Sequence, residues 1–227
     1  MAELPITERT RVRRIPARGV YDRETIDAIL DEGLIAHVGM ASSPEPSAEG
    51  ASPSQPFVIP MVYARLGDTI YLHGSPGSRL LRALAGGAET TLCVTLVDAL
   101  VLARSGMHHS MNYRSVVVFG RCAEVTEEAE KRAALDRIVE HVIPGRTRDA
   151  RGANDKELRQ TMVVGLPLNE ASAKIRSGPP KDDDEDLELD VWAGLIPLRT
   201  VAGDPVDAPD LVRPIPQPEY VRSYSRP

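Results

Sequence analysis

Two strings set the reading of this chain: Tyr71-Leu-His-Gly-Ser-Pro-Gly-Ser-Arg79 and, further on, His108-His-Ser-Met-Asn-Tyr-Arg-Ser115. Both lie in Tyr63 to Arg121, which reads as strand, turn, strand, short helix and two long apolar strands. The first string ends a strand in small residues and delivers a serine and an arginine to a helix over Ser78 to Ala85. The second packs hydroxyls, an amide, a phenol and a guanidinium around the start of an apolar strand, Tyr113 to Val125. Thr90 to Ala103 is the other long strand, interrupted by Asp98, which marks a bulge. Strands this rich in Val and Leu are expected to be buried on both faces, against helices or a partner subunit.

Upstream, residues 1–20 form a basic, proline-containing arm expected to be extended. Asp22 caps a helix over Arg23 to Glu32, with Ile26, Ile29 and Leu30 as its apolar stripe and Gly33 as its end. Leu34 to Met40 is a strand, and Ser42 to Pro56 is a Ser/Pro/Gly loop. Phe57 to Ala64 is a strand whose Pro60 requires an edge or a bulge. Leu66-Gly-Asp68 turns it back into Thr69 to His73 as a hairpin.

Downstream, Thr126 is expected to cap a helix over Glu127 to His141 with Ala133, Leu135, Ile138 and Val142 inward. A short helix around Lys156 to Thr161 and an apolar run Met162 to Leu168 follow. Asn169 is then expected to cap a helix over Glu170 to Arg176. Lys181 to Asp186 reads as a solvated charge run, without the spacing of a calcium loop. Leu187 to Thr200 reads as a strand carrying Trp192, and residues 204–227 as a Pro-rich tail. The core domain thus spans 21–203. Long strands joined by turns more than by helical crossovers predict a mainly β, α+β protein: an antiparallel barrel with flanking helices.

Composition narrows the function. The 227 residues carry a net charge of −6, so the chain lacks the basic face of a nucleic-acid binder. No run reaches the roughly 18 apolar residues of a membrane span, and no secretory leader is visible, so a cytoplasmic protein is expected. High Pro and Ala content suits a GC-rich bacterial genome. Cys93 and Cys122 read as reduced thiols in strands. His108 and His109 point opposite ways on a strand, and no residue set predicts a metal site.

Gly-x-Gly-x-x-Gly, Walker A and Gly-x-Ser-x-Gly strings are all absent. Gly74-Ser-Pro-Gly-Ser-Arg79 has two readings. It is an anion cradle, with glycines that let backbone approach, hydroxyls from Ser75 and Ser78, and a guanidinium from Arg79; or it is a turn with a helix cap. Asn112, Tyr113, Arg114 and Ser115 likewise read either as a ligand edge or as a surface strand end. Asn112 and Arg114 share one face, Tyr113 and Ser115 the other.

These strings, together with Asp98–Arg104, Gly120-Arg121 and Trp192-Ala-Gly-Leu-Ile-Pro-Leu198, resemble the pyridoxamine 5′-phosphate oxidase-like superfamily, in its flavin-nucleotide-binding, nitroimidazole-resistance-type branch. The resemblance covers residues 18–205. It implies a split β-barrel of the FMN-binding type, dimerising with FMN in clefts between subunits. By similarity, Ser78 and Arg79 hold the FMN phosphate, although Leu80 stands where oxidase members often have lysine. The resemblance further places Pro60, Met61, Val62 and Tyr63 along the isoalloxazine, and Leu72 and His73 near the ribityl chain. Asn112 to Ser115 then contact the flavin, and Trp192 reaches it from the other subunit. The late arginine and histidine pattern of vitamin B6-oxidising members is not found. The expected activity is an FMN-dependent oxidoreductase acting between a small-molecule electron donor and an unknown small acceptor. A flavin carrier or sensor, a deazaflavin protein, or a haem protein using His73, His108 or His109 are the alternatives.

Overall fold

The computed structural model describes residues 3–41 and 55–226. Its elements in chain order are β1 (Gly19–Val20), α1 (Arg23–Glu32), β2 (Ile35–Ala41), β3 (Pro56–Leu66), β4 (Thr69–Gly74), α2 (Arg79–Ala85), β5 (Glu89–Leu102) and β6 (Ser110–Arg121). They continue as β7 (Ala123–Glu124), α3 (Glu128–Val142), α4 (Asp155–Arg159), β8 (Met162–Pro167), β9 (Ala171–Arg176), β10 (Gly194–Pro197) and α5 (Glu219–Arg222).

Every strand pairing is antiparallel, in the order β1-β9-β6-β5-β2-β3-β4-β8-β7, with β10 added to β5. The path closes on itself because β6 and β7 are two halves of one strand broken at Cys122. One half pairs with β5 and the other with β8. The result is an α+β split barrel. Its interior is filled by Val38, Tyr63, Leu72, Leu92, Val116 and Val118, plugged by Ile26, Ile29 and Leu30 of α1 and by Leu81 and Leu84 of α2. Asp22 caps α1 through Glu24 and Thr25 as expected. Gly33 has no alternative, since a Cβ there would lie 2.4 Å from Val94 Cγ1. A second, smaller core lies outside the barrel, where α3 covers Ala64, Tyr71 and Val163.

The bulge at Asp98 is present: the β5–β6 register shifts between Val97 and Ala99. Other expectations need correction. Glu170 to Arg176 is not a helix. Asn169 and Glu170 turn β8 back into β9, and the small residues Ala171, Ser172 and Ala173 are buried beside β6. Strand pairing there overrides the helical preference of alanine and lysine. In α3 the cap is Glu127, not Thr126, and the buried positions are Ala134, Ile138 and His141. The strand expected over Leu187–Thr200 is confined to Gly194–Pro197. Trp192 lies outside it and is 66% exposed. β5 buries one face only: Thr90, Leu92 and Val94 point inward, while Thr95 and Val97 are exposed. The expected Ser42–Pro56 loop falls mostly outside the described residues.

The arm packs on the barrel. Thr10 is buried, and Arg9 pairs with both Glu89 and Glu170. Cys122 is buried and Cys93 half-buried, both as free thiols; burial pushes the Cys122 thiol up to about 12. Among the described residues, no helix is long and apolar enough to cross a membrane.

Candidate flavin-nucleotide site

The loop between β4 and α2 is built for close approach. Ser78 N donates to Ser75 O at 2.9 Å, closing a tight turn. Gly77 N donates to Ser75 Oγ at 3.1 Å, and Leu81 N donates to Ser78 Oγ at 3.3 Å, which caps α2. Each serine oxygen accepts from backbone, so each hydroxyl proton is left to donate to a ligand. A Cβ at Gly74 would lie 2.9 Å from Leu81 Cδ1, so a side chain there would press on α2 where it folds back onto the end of β4.

Arg79 is exposed, and its guanidinium carbon sits 4.1 Å from the centroid of the Phe57 ring. Among the described residues it has no carboxylate partner. Phe57 is the second residue of β3, and from Pro56 to Val62 this strand pairs with β2 alone, because β4 joins it only at Tyr63, opposite Leu72. Pro60 lies in this one-sided stretch, the edge position expected for a residue without an N–H. Val58, Ile59 and Pro60 are exposed, and Met61 and Val62 are half-buried. The structure therefore brings Ser75, Ser78 and Arg79 to one end of an open, apolar strand edge. Anion, polar rim and flat apolar surface are the three things a flavin nucleotide asks of its site.

The remaining expected residues divide. Tyr63 and Leu72 are fully buried; the Tyr63 hydroxyl donates to Leu30 O, and burial pushes its pKa up. Asn112 is buried, donates to Gly178 O at 3.1 Å and accepts from Arg176. Arg114 is bound to Asp98 and Glu32, which hold its pKa up. Ser115 Oγ donates to Lys174 O at 3.2 Å. Tyr113 is half-buried and lies opposite Val97. The whole string lies on β6, separated from β3 by β5 and β2, about 14 Å at three strand spacings. Within one chain it does not join the Arg79 loop.

His73 lies beneath α3, facing a cavity of about 270 Å³ lined also by Leu135, Ile138, Thr147, Arg151 and Thr161. Among the described residues its Nδ1 is buried without a hydrogen-bond partner, and burial lowers its pKa, which favours the neutral ring. Neutral imidazole with a free nitrogen is the chemistry of an axial haem ligand. The cavity, however, is below the roughly 300 Å³ at which drug-sized pockets begin. Sequence reasoning missed Asp182, which lies in the supposedly solvated charge run. Its side chain is 1% exposed and accepts from the backbone and guanidinium of Arg104. His108 and Asp186 approach it, with ligand atoms within 4.8 Å. Nothing in the spacing of the string signals this, because Arg104 comes from 78 residues away.

The pyridoxamine 5′-phosphate oxidase family model matches residues 22–175, from the cap of α1 to the end of β9. The chain belongs to the pyridoxamine 5′-phosphate oxidase family. Within that family's fold it is similar to the flavocytochrome Anf3 of Azotobacter vinelandii, at 39% identity and a TM-score of 0.83 over 95% of each chain. It is also similar to an FAD and haem binding protein of Mycobacterium smegmatis, at 36% identity and a TM-score of 0.82, covering 92% of this chain and 98% of that one. A structure described as a 5-nitroimidazole antibiotic resistance protein of Bacteroides thetaiotaomicron shares the fold at 24% identity and a TM-score of 0.51, covering 69% of this chain and 86% of that one. No curated protein sequence matches the chain.

Proposed function

We propose that this member of the pyridoxamine 5′-phosphate oxidase family binds a flavin nucleotide and exchanges electrons between it and a small acceptor. The observation that carries the reading is Arg79. Among the described residues it is an exposed guanidinium without a carboxylate, at the end of an open strand edge and beside two serine hydroxyls. A phosphate there supplies the counter-charge and accepts charge-assisted hydrogen bonds. The Val58–Val62 edge offers backbone groups to a ring's polar rim, and Val58 and Pro60 offer apolar contact. A bound flavin supplies the redox chemistry; the chain orients it and shields it from water. FMN satisfies this site, and so does the flavin part of FAD, which the Mycobacterium smegmatis relative's description names. Similarity to two proteins described as a flavocytochrome and an FAD and haem binding protein supports a flavin over a deazaflavin.

A homodimer is part of the proposal. In one chain β5 and β2 separate the Asn112–Ser115 strand from β3, and in this proposal a second copy brings Tyr113 to the ring. The exposed apolar side chains of Val97, Leu100, Leu195 and Ile196 on β5 and β10 support such a contact.

The absorption spectrum of the purified protein, with mass spectrometry of whatever it releases on denaturation, tests the reading. A flavin spectrum is expected. Arg79→Ala should weaken FMN binding by about 1.5–3 kcal/mol, and an unchanged affinity would refute the phosphate assignment. Reduction of the bound flavin by reduced nicotinamide separates an oxidoreductase from a carrier.

Haem is a second reading, favoured by the unpartnered Nδ1 of His73 and by the descriptions of the two relatives. It requires the segment from Thr147 to Ala153 to move outward from α3. A Soret band lost in His73→Ala supports it.

A further inference from the structure

We infer that Phe57 is the positioning residue that presents Arg79 to the anion. The inference rests on the flavin-phosphate reading and goes one residue beyond it. The two residues come from different elements, Phe57 from the start of β3 and Arg79 from the start of α2, and they meet at 4.1 Å from guanidinium carbon to ring centroid. Among the described residues Arg79 makes no hydrogen bond and no ion pair, so the aromatic face is the support its guanidinium has.

The geometry suits the task. A guanidinium held over a ring face is supported without a hydrogen-bond acceptor, so its N–H donors stay available for oxygen acceptors. A carboxylate support would instead occupy those donors and cancel the charge. An arginine side chain also loses considerable rotamer freedom when it is fixed. Stacking imposes part of that loss before the anion arrives, so less remains to be lost on binding. Orientation matters more here because Leu80 follows Arg79, leaving the loop with one cation. Phe57 is itself half-buried and paired across the ladder with Met40 of β2.

The test separates phosphate recognition from ring recognition by titrating FMN and riboflavin, read by quenching of flavin fluorescence. Phe57→Leu keeps apolar bulk but removes the π face. It should weaken FMN binding about two- to fivefold and leave riboflavin binding unchanged, whereas Phe57→Trp should match or exceed the native preference for FMN. If Arg79→Ala abolishes that preference while Phe57→Leu keeps it in full, the phosphate reading survives and the role of Phe57 is wrong. If Phe57→Leu weakens both flavins equally, the residue is structural and the inference falls. If Arg79→Ala also keeps the preference, both fall together.

Discussion

Arg226 donates from Nη1 to the carbonyl oxygen of His141 at 2.6 Å and from Nη2 to that of Asp31 at 3.1 Å, so one guanidinium joins the C-terminal ends of α3 and α1. Its Nε reaches Glu32 O at 3.0 Å. Helices leave these last carbonyls unpaired, and a cation suits their negative end. Arg226→Ala should lower stability by about 1–3 kcal/mol, read from the urea midpoint. Arg226→Lys should recover less than half of the loss, because a single ammonium lacks the fork that spans two helices.

Stability should fall in mild acid. His141 is buried and its Nε2 lies 2.7 Å from Gly33 O; burial lowers its pKa from 6.5, and Arg226 and Arg137 push the same way. His73 is lowered by burial too. Below about pH 6.5 the unfolded chain takes up protons that these rings resist, so stability is full above that value and declines as pH drops toward the lower folded values. Urea midpoints at about pH 7.5 and 5.5 should differ, and the difference should shrink in His141→Gln. An equal difference in the variant would remove His141 as a cause.

Arg114 holds two carboxylates apart. Its Nη2 lies 2.8 Å from both Glu32 Oε1, at the end of α1, and Asp98 Oδ1, at the bulge of β5. Arg114→Met leaves the acids facing each other; with the group about one-third exposed, the expected loss is about 1–2 kcal/mol. Adding Asp98→Asn should restore part of it. A thermal-unfolding double-mutant cycle measures this coupling, and strict additivity would argue against it.

Gly74→Ala should cost about 1–2 kcal/mol by pressing a methyl onto Leu81. Leu81→Val in the same chain should relieve the overlap, giving a double variant more stable than the sum of the two single changes. Thermal unfolding of the four proteins decides it.

The barrel was legible because its signals are local: hairpin turns, the cap at Asp22, the bulge at Asp98 and long Val/Leu runs. The Ser78–Arg79 loop was legible for the same reason, since its spacing is contained within one turn. What stayed hidden depends on distant partners. Ala171–Arg176 is a strand because β6 and β1 flank it, which no property of those residues announces. Asn112 and Arg114 look like ligand groups in isolation. Their hydrogen bonds go instead to Gly178, Arg176, Glu32 and Asp98, which lie far along the chain or on another element. Phe57 was read only as a strand residue, because a guanidinium over a ring leaves no trace in spacing.

The clamp from Arg9 to Glu170 sets an order of events. Those residues are separated by 161 positions, and β1 must likewise wait for β9 before it has a partner. During synthesis the arm is made before the barrel yet cannot close this clamp until Glu170 has been made. Contacts of such span are slow to form, so this seam should close late when the protein refolds, together with the Arg226 contacts to Asp31 and Glu32, which span 195 and 194 positions.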